Sequence, residues 1–439
     1  MIRNRNSRYR NRTCFCSPRQ RMISISKKHR CQNKSVGLFC LFPNEEEMDS
    51  VEILDKIVSF NTRSSLSNLD LMAFIREYAM ANKAQVETLR HPTEGKEALR
   101  IVIGDVEAGG GIAFAGHVDT VPAEGQAWTS DPFRLGRIGQ RLQGRGAVDM
   151  KGFVACCLAA IPEIIKQNLD FPVHILLTYD EEVNAESAHL LMKDMAARNC
   201  LPDVCIVGEP TGMDVVMAQK SKLVATVTIS GRSGHSSDPD GGVNAISAAC
   251  RVVCWLDDQA ERLRTAERRD EDFSPPFSTI NVGRINGGTS VNIIPDRAVF
   301  EVEWRGIPGD DLHARLRDMQ HFIEADLIPG TRRNGRECGV DVRIEGWYPT
   351  LQNDDNQDLA AWICRTIGTA ARGGVSYATE AGVYQGCGVP TVICGPGNIA
   401  QAHRPDEWID IDQLRKCERS ILDICMGFEK SGVDGRRTS

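Results

Sequence analysis

A histidine and an aspartate stand two residues apart where a short apolar run ends. The run at residues 111–115 leads directly into His117 and Asp119. An apolar run of this length is typical of a strand that is buried on both faces. In an extended segment residues i and i+2 point the same way, so Asp119 can stand behind His117. This is how acidic side chains orient metal-binding histidines.

Other segments repeat this pattern of polar residues after an apolar run or in a glycine-bounded loop. These residues are Asp149 (loop 144–152), Glu181 and Glu182 (after 173–179), Glu209 (after 204–207) and His403 (after 391–394). The carboxyl ends of parallel strands meet at one edge of a sheet, where ligands gather. Two histidines with several carboxylates are the ligand set expected for zinc or a similar divalent ion.

These residue types suit a centre with two metal ions. Asp149, placed between two ions, can bridge them. His117 with Glu209 or Glu182 would complete one ion, and His403 with the remaining glutamate would complete the other. Two ions that share a carboxylate can polarise a carbonyl and lower the pKa of a bridging water from about 15.7 towards about 7.

The adjacent glutamates at positions 181 and 182 allow a division of labour. One carboxylate binds metal, while its neighbour stays free as a general base and later donates the proton to a leaving amine. The chemistry indicated is therefore the hydrolysis of an amide.

Over roughly residues 48–430, in matching order, the chain resembles the M20 family of dinuclear zinc hydrolases. The blocks that carry the resemblance are residues 116–122 (GHVDTVP), 144–152 (GRGAVDMKG), 180–182 (DEE), 208–210 (GEP) and 401–407 (QAHRPDE). Within the family, residues 378–381 (ATEA), 395–397 (GPG) and 401–407 are most similar to the acetylornithine deacetylase branch.

The resemblance implies a role for each residue of the site. It implies two divalent ions, zinc or alternatively cobalt, and the ligands His117, Asp149, Glu182, Glu209 and His403. It also implies that Asp119 orients His117 and that Glu181 is the catalytic base.

Three more residues take a role from the resemblance. The glycine- and serine-rich loop at residues 231–237 carries His235. In the family the matching histidine reaches into the partner subunit's active site and helps to stabilise the tetrahedral intermediate. Asn292 and Arg305 match positions that bind the substrate's carboxylate, and the fork of an arginine suits that group. A homodimer formed through the inserted domain is implied as well.

The elements that must position these residues indicate an α/β fold with a mostly parallel sheet, since strand-like runs alternate with helix-like patterns. Apolar residues at helical spacing predict helices at residues 51–58, 70–81 and 153–161. These helices lie before and after the first predicted strand that ends in polar residues.

From about Lys220 the pattern changes to period-two alternation, at residues 223–229 and 298–304. Such strands are covered on one face only, which suits an antiparallel sheet. Helices are predicted near residues 245–256 and 312–323, whereas the charged run at 261–272 is predicted to be a solvated loop.

The predicted division of the chain follows from these patterns. It comprises a basic, disordered extension (1–47), the first part of a catalytic metal-binding domain (48–220), an α+β lid and dimerisation domain (221–329), the second part of the catalytic domain (330–430) and a tail (431–439). The extension contains eleven basic and no acidic residues in its first 34 positions. It is interpreted as residues before an unused start, with Met48 opening the protein, or as a flexible tail or a transit peptide.

Composition excludes several classes of protein. The net charge is −7 in spite of the basic extension, which argues against nucleic acid as a partner. No run of 18 apolar residues exists, so no membrane span is expected. The 16 cysteines lie mostly in apolar stretches without a pair of Cys-x-x-Cys motifs. They predict reduced thiols in a cytoplasmic protein.

The resulting hypothesis is a homodimeric amidohydrolase with two metal ions that acts on a small N-acyl amino acid. The resemblance implies removal of the acetyl group from N-acetylornithine in arginine biosynthesis. Alternatives are a succinyl-diaminopimelate desuccinylase, an aminoacylase or a metallo-dipeptidase, which differ in the pocket around Arg305, Glu380 and Asn398. A non-catalytic binding protein on this scaffold would lack a ligand or the base, and none is lost. The acid Glu186 departs from the small residues common in the family after the glutamate pair.

Overall fold

An eight-stranded sheet and a four-stranded sheet, with a small three-stranded one, form the framework of the structure. The computed structural model describes residues 47–265 and 268–428, so residues 1–46 of the predicted extension and the predicted tail lie outside the described residues. The strands are β1 (Gln85–Arg90), β2 (Glu97–Ile103), β3 (Ile112–His117), β4 (Gly136–Ile138), β5 (Arg141–Gln143), β6 (Val173–Thr178), β7 (Val204–Pro210), β8 (Val215–Gln219), β9 (Ser221–Ser230), β10 (Thr279–Gly287), β11 (Arg297–Gly306), β12 (Gly339–Tyr348), β13 (Ala371–Val375), β14 (Thr391–Gly395) and β15 (Trp408–Asp410). The helices are α1 (Ser50–Val58), α2 (Leu69–Ala81), α3 (Lys151–Gln167), α4 (Glu186–Ala197), α5 (Ala245–Thr265), α6 (Leu312–Phe322), α7 (Ile328–Gly330), α8 (Gln357–Ile367), α9 (Ala381–Gly386) and α10 (Ile411–Gly427).

The large sheet has the strand order β1-β2-β6-β3-β7-β14-β8-β13. Its centre is parallel, because β3 pairs in parallel with both β6 and β7, and β14 pairs in parallel with β7. The edge strand β1 is antiparallel to β2, and β2 is antiparallel to β6. This arrangement confirms the predicted α/β class with a mostly parallel sheet. The carboxyl ends of β6, β3, β7 and β14 consequently lie side by side.

Helices cover both faces of the large sheet, which explains why its central strands are apolar throughout. Along β3, Ile112 and Phe114 pack into the core formed with α1, α3 and α10. The alternate residues Ala113 and Ala115 pack into the core formed with α4 and α9. Gly208 in β7 leaves room for Phe153 of α3, since a β-carbon there would lie 2.0 Å from the ring of that residue.

The predicted helices of the first part are present, as α1, α2 and α3. Helix α1 begins after Asp49 because that residue and Glu52 form a reciprocal capping box. The side chain of Asp49 accepts from the backbone amide of Glu52 at 2.9 Å, and the carboxylate of Glu52 accepts from the amide of Asp49 at 3.0 Å.

The small sheet has the order β10-β11-β9-β12 and is antiparallel throughout. Its covered face packs on α5 and α6 through residues such as Leu223, Val227 and Phe300, as the period-two pattern predicts. The boundary expected at residue 329 falls before the last strand of this sheet, since β12 pairs with β9 up to Tyr348. The alternation of Val340, Val342 and Ile344 with charged residues indicates a strand here, but no local pattern shows that this strand pairs with β9.

Helix α5 extends further than the sequence pattern indicates. The loop predicted from residue 261 is wrong in its first part, because α5 continues to Thr265. Leu263 is buried, and the carboxylate of Glu261 accepts from Arg264 one turn later at 2.7 Å. Both contacts stabilise the last turn of the helix.

The sequence predicts that the chain has no membrane span and that its cysteines are reduced. Within the described residues, every helix is too short or too polar to traverse a bilayer. The cysteines of the same residues are free thiols. Most are buried, whereas Cys250 and Cys254 are exposed on α5.

Candidate metal centre and active site

The carboxyl edge of the large sheet brings the predicted ligands together. His117 is the last residue of β3, and Glu209 is the last but one of β7. Glu182 follows β6, which is the neighbour of β3 on its other side. His403 lies in the turn after β14, and Asp149 lies in the loop before α3. Topology therefore gathers residues that are up to 286 positions apart in sequence.

Asp149 lies between the two histidines. Its Oδ1 atom is 3.2 Å from Nε2 of His117, and its Oδ2 atom is 3.2 Å from Nε2 of His403. Each carboxylate oxygen thus faces a different imidazole. Asp149 is therefore the residue that would be shared if each histidine held a cation.

The glutamates divide between the two histidines. Oε2 of Glu182 lies 3.1 Å from Nε2 of His403, and Oε1 of Glu209 lies 3.6 Å from Nε2 of His117. The ligand atoms of His117, Asp149 and Glu182 also lie within 4.8 Å of one another, but the shortest contacts favour Glu209 beside His117 and Glu182 beside His403, one of the two pairings left open by the sequence. Glu181 lies on the His117 side, where its ligand atoms and those of His117 and Glu209 are within 4.8 Å of one another.

Asp119 holds the imidazole of His117 and the start of the glutamate pair. Nδ1 of His117 is 3.0 Å from the backbone oxygen of Asp119 and 3.4 Å from its Oδ1 atom. Because a carbonyl oxygen can only accept, Nδ1 donates its proton to this oxygen, and the bond directs Nε2 towards Asp149. The carboxylate of Asp119 also accepts from the amides of Glu181 (3.1 Å) and Glu182 (3.2 Å) and from Oγ of Ser64 (2.7 Å).

The loop that presents Asp149 is fixed by a buried carboxylate, Glu407. This side chain accepts from Nη1 of Arg145 at 2.7 Å. It also accepts from the backbone amides of Gly146 (3.1 Å), Val148 (2.9 Å) and Asp149 (3.2 Å). Arg145 and Glu407 are each 1% exposed. The two residues therefore form a buried, charge-assisted clamp on the loop.

His403 differs from the other ligand candidates in its backbone and its exposure. Its φ of 61° lies in the left-handed region, which non-glycine residues seldom adopt. Its side chain is 55% exposed, whereas that of Asp149 is 7% exposed. Backbone strain of this kind concentrates at functional sites. The cluster consequently opens to solvent on the His403 side.

The electrostatics of the cluster fit divalent cations. Burial, together with the neighbouring carboxylates, raises the pKa of Glu181, Glu182 and Glu209. Burial has the same tendency at Asp149, but hydrogen bonds with both histidines lower the pKa of that carboxyl. Several carboxylates with imidazole nitrogens in one buried space are the donor set of zinc and similar ions.

Two predicted residues lie away from the cluster, at one end of the small sheet. His235 follows β9, and its Nδ1 atom is 2.7 Å from Oγ of Ser237. Asn292 lies between β10 and β11, and its Oδ1 atom accepts from Ser290 at 2.6 Å. Within the described part of a single chain, neither side chain contacts the cluster.

Arg305, near the end of β11, is engaged by a neighbour. Its Nε and Nη2 atoms donate to the carboxylate of Glu303 at 2.7 and 3.1 Å. Nη1 donates to the backbone oxygen of Ser376 at 3.3 Å. In a single chain the guanidinium of Arg305 is therefore paired with the carboxylate of Glu303, and its predicted contact with a substrate carboxylate stays a prediction.

The sequence patterns indicate no role for several residues that shape the site. Arg145 and Glu407 belong to blocks 144–152 and 401–407, which carry the family resemblance, so the sequence contains a signal for these two residues. Ser64 lies in a loop without a motif, and Tyr348, whose hydroxyl donates to the backbone oxygen of Glu181, follows no pattern at all. Distant tertiary contacts of this kind leave no local trace in sequence.

Comparison with known proteins decides the family. Residues 113–426 match the family model described as peptidase family M20/M25/M40. The chain belongs to the M20 family. It is 36% identical over 319 residues to acetylornithine deacetylase of Proteus mirabilis (strain HI4320), covering 73% of this chain and 79% of that protein. It is 36% identical over 326 residues to the acetylornithine deacetylase of Yersinia pseudotuberculosis serotype O:1b (strain IP 31758), covering 73% and 80%.

Solved structures show the same M20 fold. The M20 family metallo-carboxypeptidase Sso-CP2 from Sulfolobus solfataricus superimposes with a TM-score of 0.69 at 17% identity, over 86% of this chain and 99% of that one. Human carnosine dipeptidase 1 gives a TM-score of 0.65 at 16% identity, over 86% and 96%. Membership of the M20 family makes this chain a metal-dependent amide hydrolase.

Proposed function

We propose that this M20 enzyme removes the acetyl group from N-acetylornithine, giving ornithine and acetate, as a step of arginine biosynthesis in the cytoplasm. The observation that carries the proposal is Asp149, whose two oxygens face two different imidazoles at 3.2 Å. The substrate is proposed from the 36% identity to curated acetylornithine deacetylases.

The proposed cofactor is a pair of zinc ions, with cobalt as the alternative. His117 and Glu209 would hold one ion, His403 and Glu182 the other, and Asp149 both. When bound, such ions polarise the amide carbonyl and lower the pKa of a shared water towards about 7.

Glu181 is the proposed general base and acid. It would take a proton from the attacking water and donate it to the nitrogen of the leaving amine. Its carboxylate lies beside His117 and Glu209, and its backbone amide is held by Asp119 at 3.1 Å. The proposed roles of Asp119 are therefore to orient His117 and to hold the base.

A homodimer is proposed because His235 and Asn292 lie apart from the cluster of their own chain. We propose that the large sheet with its helices is the catalytic domain and that the small sheet is a lid through which two copies pair. Pairing would bring His235 and Asn292 of one copy to the substrate of the other. Arg305 would then bind the carboxylate of the substrate in exchange for that of Glu303.

The test is the release of acetate from N-acetyl-L-ornithine by the zinc- or cobalt-loaded protein. Glu181→Gln should lower kcat by roughly 10²- to 10⁴-fold while the bound metal is retained. Glu186→Gln is the matched control, since it changes an acid of the same segment outside the proposed ligand set. If the protein releases no acetate but hydrolyses N-succinyl, N-formyl or dipeptide substrates, the proposed substrate is wrong and another M20 activity is assigned.

A further inference from the structure

The peptide group that joins Glu181 to Glu182 is held at both of its ends. Its N–H, from Glu182, donates to Oδ2 of Asp119 at 3.2 Å. Its C=O, from Glu181, accepts from the phenolic hydroxyl of Tyr348. The proposed base and a proposed metal ligand flank this one peptide group. Any rotation of the group therefore displaces both side chains together.

Tyr348 belongs to the small sheet, whereas the peptide group belongs to the large one. It is the last residue of β12 and pairs with Lys222 of β9. Immediately beyond it the chain crosses back, where the amide of Gln219 donates to the oxygen of Leu351 at 3.1 Å. Tyr348 is 1% exposed. The hydroxyl thus reaches from the junction of the two sheets into the candidate site.

The backbone around Tyr348 packs directly on the segment after the glutamate pair. A β-carbon on Gly346 would lie 2.9 Å from the oxygen of Val183 and 3.1 Å from Cα of Asn184. Nε2 of His189, in α4, lies 3.3 Å from the backbone oxygen of Trp347. The end of β12 and residues 183–184 are consequently in close contact, so a movement of one is transmitted to the other.

Loss of the hydroxyl would leave the oxygen of Glu181 without this donor in a buried setting. A buried carbonyl without a partner is unfavourable, so the peptide group is expected to turn until it finds another donor. A displacement of catalytic groups by about 1 Å can lower the rate by on the order of 100-fold.

We propose that Tyr348 is a positioning residue, whose hydroxyl holds the Glu181–Glu182 peptide group in place and ties the catalytic glutamates to the small sheet. The role of Glu181 as the base rests on the proposed function. The hydrogen bond of Tyr348 and the packing of Gly346 are independent of the proposed function.

The experiment compares Tyr348→Phe with wild type at saturating zinc. We expect kcat to fall by roughly 10- to 100-fold with KM changed by less than about threefold, because the geometry of the base changes more than substrate binding does. We also expect faster hydrogen–deuterium exchange in the peptide that covers residues 180–185. Gly346→Ala, which pushes the same junction apart and keeps the hydroxyl, should reproduce both effects.

Tyr78→Phe in α2 is the matched control, since it removes another buried phenolic hydroxyl, one that does not contact the glutamate pair. It should alter neither kcat nor exchange at residues 180–185. An unchanged kcat in Tyr348→Phe, or exchange that rises equally over the whole chain, would overturn the proposal. If the wild type hydrolyses no N-acyl amino acid, the proposed function fails, while unchanged exchange at 180–185 in Tyr348→Phe is what refutes the positioning role.

Discussion

Replacement of Glu407 by glutamine tests whether this buried carboxylate holds the loop that presents Asp149. The side chain accepts four hydrogen bonds, two at each oxygen. Oε2 faces Arg145 and the amide of Gly146, whereas Oε1 faces the amides of Val148 and Asp149. Glutamine retains the shape but has one accepting oxygen in place of two. In either orientation of the amide, two donors face an NH2 group that cannot accept.

The magnitude follows from burial. Burial raises the pKa of Glu407 to about 7, and above that pH removing one partner of the buried ion pair lowers the free energy of unfolding by about 3–5 kcal/mol. The lower end applies, because Nη2 of Arg145 keeps the oxygens of Pro122 and Gln126 as acceptors and its guanidinium lies 5.0 Å from the ring centre of Trp128. We therefore expect Glu407→Gln to lose about 3 kcal/mol. Such a loss is a large fraction of the ~5–15 kcal/mol that stabilises a typical domain.

The assay is urea unfolding of the metal-free protein followed by circular dichroism, so that a change in zinc affinity does not contribute. Glu124→Gln is the control. It breaks an Arg–Glu pair with Arg63 of similar length, 2.9 Å, whose side chains are 30% and 58% exposed. Exposed pairs contribute about 0–1 kcal/mol. A loss below about 1 kcal/mol in Glu407→Gln, or one equal to that of Glu124→Gln, would refute the reasoning.

Three further outcomes are expected. Zinc at 1,000 times its Kd should raise the free energy of unfolding by about 4 kcal/mol, because only the folded state assembles the cluster. Urea titration with and without a chelator measures this shift. The absence of a shift would contradict a metal centre. Burial and the nearby Arg100 lower the pKa of His174 to about 4. The unfolded chain binds that proton near pH 6.5, so stability should fall by up to roughly 3 kcal/mol as the pH drops from 6.5 to 4. His174→Gln should flatten the curve of stability against pH, and an unaltered curve would disprove this assignment. Ser64→Ala removes a 2.7 Å donor from Asp119 and should lower both stability, by about 1–3 kcal/mol, and kcat, whereas the exposed Ser59→Ala should change neither.

Much of the framework could be predicted from the sequence, because its central strands are short apolar runs that end abruptly in polar residues. The same endings placed His117, Glu182 and Glu209 at neighbouring strand ends, and the structure brings them within a few ångströms of Asp149 and His403. Where a pattern is local, as in β3 or α1, the sequence is sufficient.

The remaining features depend on contacts that no local pattern records. The partner of Glu407 lies 262 positions away, and that of Tyr348 lies 167 positions away. Strand β12 alternates in sequence at Val340, Val342 and Ile344, but its pairing with β9 is set by tertiary structure. The final turn of α5 depends on the burial of Leu263, which a charged run conceals.

The position of β14 has a consequence for synthesis of the chain. This strand lies between β7 and β8 in the large sheet, yet it follows both of them in sequence, after the whole small sheet. Because synthesis proceeds at about 5–20 residues per second, the edge of β7 stays unpaired for on the order of tens of seconds before β14 is made. Open edges invite pairing with other chains. The same late segment carries His403, so a nascent chain closes its central sheet and acquires the last histidine of the cluster almost together. An unfinished chain therefore has an open strand edge that can pair with other chains, and it lacks a complete set of ligand residues.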